Sequence, residues 1–102
     1  MKVFRQGDVV LRELNWWERL LRRGTWVSER VLARGERTGH MHRLRGDVAV
    51  LEDGRGNRTL SVRGVVSLSH EEHPAIEIPP GEYAVRVQRE FVAQDRPRSF
   101  AD

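Results

Sequence analysis

Apolar and polar residues alternate along this chain in short runs, and glycine or proline ends most of them. An alternation of period two puts apolar side chains on one face of an extended strand and polar ones on the other. Residues 3–14 form one such run, with Gln6-Gly7-Asp8 as a kink inside it. Residues 26–34 and 38–44 form two more. Residues 47–52 and 58–62 flank the spacer "DGRGN" at 53–57, a glycine-rich hairpin signature. A further strand is expected at 65–70, and a short one at 75–78 between Pro74 and the "PPG" at 79–81. The longest alternation is 82–92, with Tyr83, Val85, Val87 and Phe91 opposed to Arg86, Gln88 and Glu90.

One segment breaks the pattern. In "NWWERLLRRG" at 15–24, Asn15 can cap a helix, Trp16, Trp17, Leu20 and Leu21 share a face, and Gly24 can end it. The spacing predicts a short helix whose tryptophans cover the open end of a barrel. The expected fold is therefore mainly β: a small single-domain β-barrel or sandwich of about seven or eight short strands with one short helix. The β domain is expected over 1–93, with a polar tail at 94–102. If the first and last strands pair, the side chains of Gln6-Gly7-Asp8 and Gln88-Arg89-Glu90 face one another; an edge-strand polar ladder is the alternative.

Composition narrows the chemistry. At 102 residues the chain has the size of one domain, and 38% hydrophobic content supports a lean core. The absence of cysteine excludes disulfides and thiolate metal sites. With no long apolar run and no basic-then-apolar N-terminal signal, a cytoplasmic protein without a membrane partner is expected. Eighteen basic residues against fifteen acidic ones give a net charge of only +3, yet all the basic residues but Lys2 are arginine. Guanidinium groups bind phosphate and carboxylate with a planar fork. Their dispersal along the chain weakens a nucleic-acid reading.

All four histidines fall into two short clusters, "GHMH" at 39–42 and "HEEH" at 70–73. Strand alternation sends His40, His42 and Leu44 to one face and Met41 and Arg43 to the other. Two imidazoles on one face can grip one ion at about 2.0–2.1 Å per nitrogen. The spacing of His70 and His73 requires a bend between them, and Pro74 drives His73 into an extended conformation. If the clusters meet, His40, His42, His70 and His73 form a metal site. Glu71 or Glu72, or Glu36 upstream, would then serve as a further ligand or as a tautomer-fixing partner. Nitrogen and oxygen donors without sulfur suit Zn, Mn, Fe or Ni alike. An open coordination position would permit metal-assisted hydrolysis, with Glu71, Glu72 and Arg43 as catalytic candidates.

Other readings of the same residues stay open. His40, His42, Arg43 and His70 contain the groups of a metal-free, ribonuclease-like acid–base site. Tryptophans with arginines suit an RNA- or protein-binding accessory module. His-x-His on an exposed strand is also often plain polar surface.

"RQGDVVL" at 5–11, "GERTGHMHRL" at 35–44 and "HEEHPAIEIPPGEYAVRVQREF" at 70–91 resemble a group of small, uncharacterised bacterial and phage proteins. The resemblance covers most of the chain outside 15–30 and implies a self-contained small protein without indicating its chemistry. A partial likeness to cupins, metal-holding β-barrels, rests on Gly35, His40-x-His42 and the "PPG" at 79–81. No glutamate follows His42 at the cupin distance and no histidine follows the "PPG", so this likeness is an analogy for chemistry alone.

Overall fold

The computed structural model describes residues 2–35 and 38–88; Glu36, the Arg89-Glu90 pair and the expected tail at 94–102 lie outside the described residues. Eight strands and one helix follow in the order β1 (Val3–Gln6), β2 (Val9–Glu13), α1 (Trp16–Leu21), β3 (Thr25–Val27), β4 (Val31–Arg34), β5 (Met41–Glu52), β6 (Arg58–Ser69), β7 (Ile76–Ile78) and β8 (Gly81–Val87). The mainly β expectation holds, but the expected runs join differently: the run at 26–34 divides into β3 and β4. The runs at 38–44 and 47–52 merge into β5, and those at 58–62 and 65–70 merge into β6. The run at 3–14 divides instead: Gly7-Asp8 is the tip of a hairpin that pairs Gln6 with Val9, not a kink in one strand.

The long β5–β6 hairpin is the spine of the sheet. Towards the 53–57 turn, β6 pairs β8 through Thr59–Val62, and β5 pairs β3 through Val50–Glu52. Towards the other end, β6 pairs β7 through Val66–Leu68, and β5 pairs β4. The sheet runs β1-β2-β8-β6-β5-β3, with its end strands unpaired to each other, so it is an open sheet and not a closed barrel. Val9, Leu11, Leu32, Leu44, Val48, Val50, Leu60, Val62, Val66, Leu68, Ile78 and Tyr83 make one buried cluster on its inner face. Hydrophobic burial of this kind is the main favourable contribution to folding.

The halves of the spine are offset by a bulge. Pairing passes from Gly46–Val66 to Val48–Val62, so β6 carries more residues through the bend than β5. Extra residues on one strand bend and twist the pair, letting one hairpin serve two directions. Gly46 adopts φ 122° there, and a Cβ at this position would lie 2.1 Å from the Val65 carbonyl oxygen.

The helix α1 forms where expected, but it is held by polar contacts. The Asn15 side chain accepts from the Glu18 amide at 2.8 Å, and a Glu18 carboxylate oxygen accepts from the Asn15 amide at 2.9 Å, the reciprocal capping box. Arg12 grips the Glu18 carboxylate with two bonds of 3.0 and 2.8 Å, and Arg22 bonds Glu82. No residue of α1 is buried. Trp16 is 69% exposed and Leu20 74%, which overturns the expectation that this face covers the end of a barrel. A six-residue helix anchored by its cap and ion pairs does not have to lay its apolar face on the sheet.

Two outcomes follow for stability. Gly46→Ala should lower unfolding free energy in urea titrations by about 1–3 kcal/mol or more, because it strains the backbone and drives a methyl into a carbonyl. The Arg12 fork and the Asn15 amide hold the Glu18 carboxyl at a pKa of about 2, against an ordinary 4.5. A depressed folded-state pKa stabilises above the unfolded value, and the contribution is lost as pH falls from 4.5 through about 2. Thermal melts across that window should therefore show wild type losing more stability than Glu18→Gln.

Candidate metal centre

The site forms where three pieces of chain meet at one end of the spine: the start of β5, the residues after β6, and the β1–β2 turn. Antiparallel pairing of Arg43 with Ser69 brings residues just outside that pair, the 40–42 and 70–73 stretches, onto the same end of the hairpin. The two histidine clusters therefore meet. Ring centroids lie 4.3 Å apart for His42–His70, 4.6 Å for His70–His73, 5.7 Å for His40–His70 and 6.0 Å for His42–His73.

His42 is the buried member, and its orientation is determined by Gln6. The Gln6 amide nitrogen donates to the Leu68 carbonyl at 2.8 Å and to the Pro74 carbonyl at 2.9 Å. Its Oε1 therefore faces the His42 Nδ1, 2.8 Å away, and must accept a hydrogen bond from the Nδ1–H. That leaves the His42 Nε2 lone pair 3.2 Å from an Asp8 carboxylate oxygen. Lone pair against carboxylate is repulsive unless a positive charge lies there, either a proton on Nε2 or a metal ion. Burial, the largest cause, and then the neighbouring His70 push the His42 pKa down, while Asp8 opposes both.

The other donors are more open. His40 Nδ1 sits 3.0 Å from a Glu72 carboxylate oxygen. This carboxylate–imidazole contact places the proton on Nδ1 and leaves Nε2 free to coordinate. Glu71 accepts the Met41 amide at 2.9 Å, which is the first cause holding its pKa below the usual carboxylate range; His40 and His70 add to it. His70 Nδ1 accepts the Glu72 amide at 3.0 Å, so the ring proton lies on Nε2. Ligation by His70 must displace either that amide or that proton.

Among the described residues, one donor atom each from His40, His70 and Glu71 lie within 4.8 Å of one another, a group that can hold a metal ion. The sequence-derived set was His40, His42, His70 and His73. The structure gathers all four rings but ties both ring nitrogens of His42 to Gln6 and Asp8, and it brings Glu71 in with His40 and His70. Glu72 lies outside that group and contacts the His40 ring. Arg43 lies on the outer face of β5, exposed. Gln6 and Asp8 belong to the site although no ligand role was expected of them. Their signal was the polar "QGD" interrupting an apolar strand; of the facing expected between side chains of 6–8 and 88–90, the described residues show only a backbone bond of 2.7 Å from the Gln88 amide to the Asp8 carbonyl.

These elements all fall within residues 5–88, which match a family described as a domain of unknown function, DUF8820. The chain belongs to DUF8820. The DUF8820 match spans both histidine clusters, the Gln6 turn and the α1 segment that the resemblance in sequence left out. No curated protein and no solved structure matches the chain.

Gln6→Leu should be strongly destabilising, by about 2–4 kcal/mol in denaturant titrations, since it removes the bonds to the Leu68 and Pro74 carbonyls and leaves the buried His42 N–H without its acceptor. Nitrogen-15 NMR of the wild-type imidazoles should find the His42 proton on Nδ1, and the variant should lose that preference.

Proposed function

We propose that this DUF8820 protein binds a divalent metal ion through His40, His70 and Glu71, with His42 and His73 flanking the ion. The observation that carries this reading is the convergence of those three donors from opposite sides of the β5–β6 hairpin, within 4.8 Å of one another. Its support is the surrounding polar order. Glu72 sets the His40 tautomer for coordination through Nε2. The Met41 amide holds Glu71 in place and ionised. Two imidazoles and one carboxylate leave coordination positions open and suit Zn, Mn, Fe or Ni. A metal so bound supplies Lewis acidity and a water of lowered pKa, the chemistry of metal-assisted hydrolysis. Glu71 would act as a ligand in that chemistry, and Glu72 as the partner that orients His40.

Calorimetric titration of tag-free protein with Zn, Mn and Ni should reveal one saturable site. His40→Ala and His70→Ala should each abolish it, and Glu72→Gln should weaken it by about 10–100-fold. No binding and no thermal shift with any of these metals would sink the proposal, as would binding indifferent to both histidine substitutions.

A further inference from the structure

Beside the metal donors, the outer face of β5 opens into a groove of about 210 Å³ lined by Met41, Arg43, Arg45, Ser69, His70 and Glu71. Two of its walls, His70 and Glu71, are donors of the proposed metal centre. Its lining also includes two arginines, Arg43 and Arg45. Arg43 and Arg45 are two residues apart on one strand and both are exposed, so they project from the same face, about 6.7 Å apart at the backbone. Among the described residues, neither makes an ion pair. The one side-chain bond of Arg43 is a 3.7 Å contact to the Met41 sulfur, a weak acceptor. Four other arginines are engaged, Arg12 with Glu18, Arg22 with Glu82, and Arg30 and Arg58 with backbone carbonyls; Arg34, Arg63 and Arg86 make no ion pair among the described residues either, but none of them lines this groove. The cross-strand neighbours of the pair, Ser69 and Ser67, are small and uncharged, which leaves the space above them open.

We infer that this groove binds a terminal phosphoryl group, held by Arg43 and Arg45 with one oxygen turned towards the metal. The inference rests on the metal reading for that last contact and goes beyond it by naming the ligand. Guanidinium forks match the paired oxygens of a phosphoryl group, and two forks with a metal provide three positive partners for a tetrahedral dianion. A carboxylate has two oxygens and one charge, and leaves part of that set unmatched. Ser69 contributes a hydroxyl at the groove floor, its Oγ 3.5 Å from the Arg43 carbonyl. A much larger groove of about 430 Å³, lined by Val65, Val66, Glu77, Ile78 and the 79–80 prolines, offers no cation and no imidazole, and is not suited to an anion.

The test titrates inorganic phosphate and phenyl phosphate into tag-free protein, metal-free and Zn-loaded, following arginine and backbone NMR shifts. Saturable binding is expected, with shifts at Arg43, Arg45 and Ser69, and tighter in the loaded protein. Arg43→Gln with Arg45→Gln should weaken phosphate at least about tenfold while Zn affinity stays unchanged. Both arginines are exposed, so the folded double variant should be obtainable, and its Zn titration reports on the metal reading separately. Zn binding without any phosphate binding overturns the phosphoryl inference and leaves the metal centre standing. Phosphate binding that survives the double substitution, or is matched by acetate, also overturns it. Binding of a hexauridylate lacking terminal phosphates, with none of phosphate or phenyl phosphate, overturns it in favour of nucleic-acid backbone recognition. If no metal binds, arginine-dependent phosphate affinity of the metal-free protein still supports the anion groove, and its absence overturns that too.

Discussion

The side chain of Gln6, 3% exposed, ties together the parts of the structure that form the site. It ends β1, donates to the last turn of β6 at Leu68 and to the following loop at Pro74, and accepts from His42 on β5. One amide thus joins three stretches distant in sequence, around residues 6, 42 and 68–74, and each of its polar atoms has a partner. Such a buried network is stabilising only when every member is satisfied, since an unpaired buried group costs more than a typical hydrogen bond contributes. The same completeness gives the site its direction. With both amide protons committed to carbonyls, His42 has one available tautomer, and its second nitrogen must face Asp8.

The spine explains why the candidate metal donors and the two groove arginines lie side by side. Along β5, His42 and Leu44 turn inward and are buried, while Arg43 and Arg45 turn outward. Within the sheet these faces are separated by the backbone. At the end of the hairpin the strand pairing stops, and His40, His70 and Glu71 occupy the rim between the inner and outer faces. Elsewhere, capping and ion pairs fix the helix α1, and its tryptophans and leucines stay exposed.

Much of this was legible in the sequence because period-two alternation is a direct imprint of a two-sided sheet. The β class, the helix cap at Asn15, the hairpin at 53–57 and the inward sense of His42 and Leu44 were all readable from it. The points that were not readable depend on pairing. Whether 38–44 and 47–52 are one strand or two turns on Gly46, where a bulge keeps both runs in a single strand against β6. Glu71 was read as an assistant to four histidines. Its place beside His40 and His70 depends on a bond to the Met41 amide thirty residues earlier. The exposure of Trp16 and Trp17 was hidden for a related reason: apolar spacing indicates a helical face, but says nothing of whether another element arrives to cover it. The closed barrel failed on the same ground, since alternation does not report whether the end strands of a sheet find each other.

Gly7 shows how closely fold and site are bound. Its φ of 59° lies in the left-handed region, which the tip of the β1–β2 hairpin uses to reverse the chain. A turn alone would tolerate asparagine or aspartate at such an angle. Here a Cβ would lie 2.8 Å from His73 Nε2 and 3.3 Å from His42 Cε1, so the hairpin tip is packed directly against two imidazoles. Glycine suits the turn through its backbone angle, and a side chain there would also push the exposed His73 ring aside. On either side of Gly7 stand Gln6 and Asp8, the two residues that hold the nitrogens of His42. The "QGD" that interrupts the first apolar run is therefore one device. Its flanking residues orient the buried imidazole, and its centre lets the turn approach closely enough for them to do so.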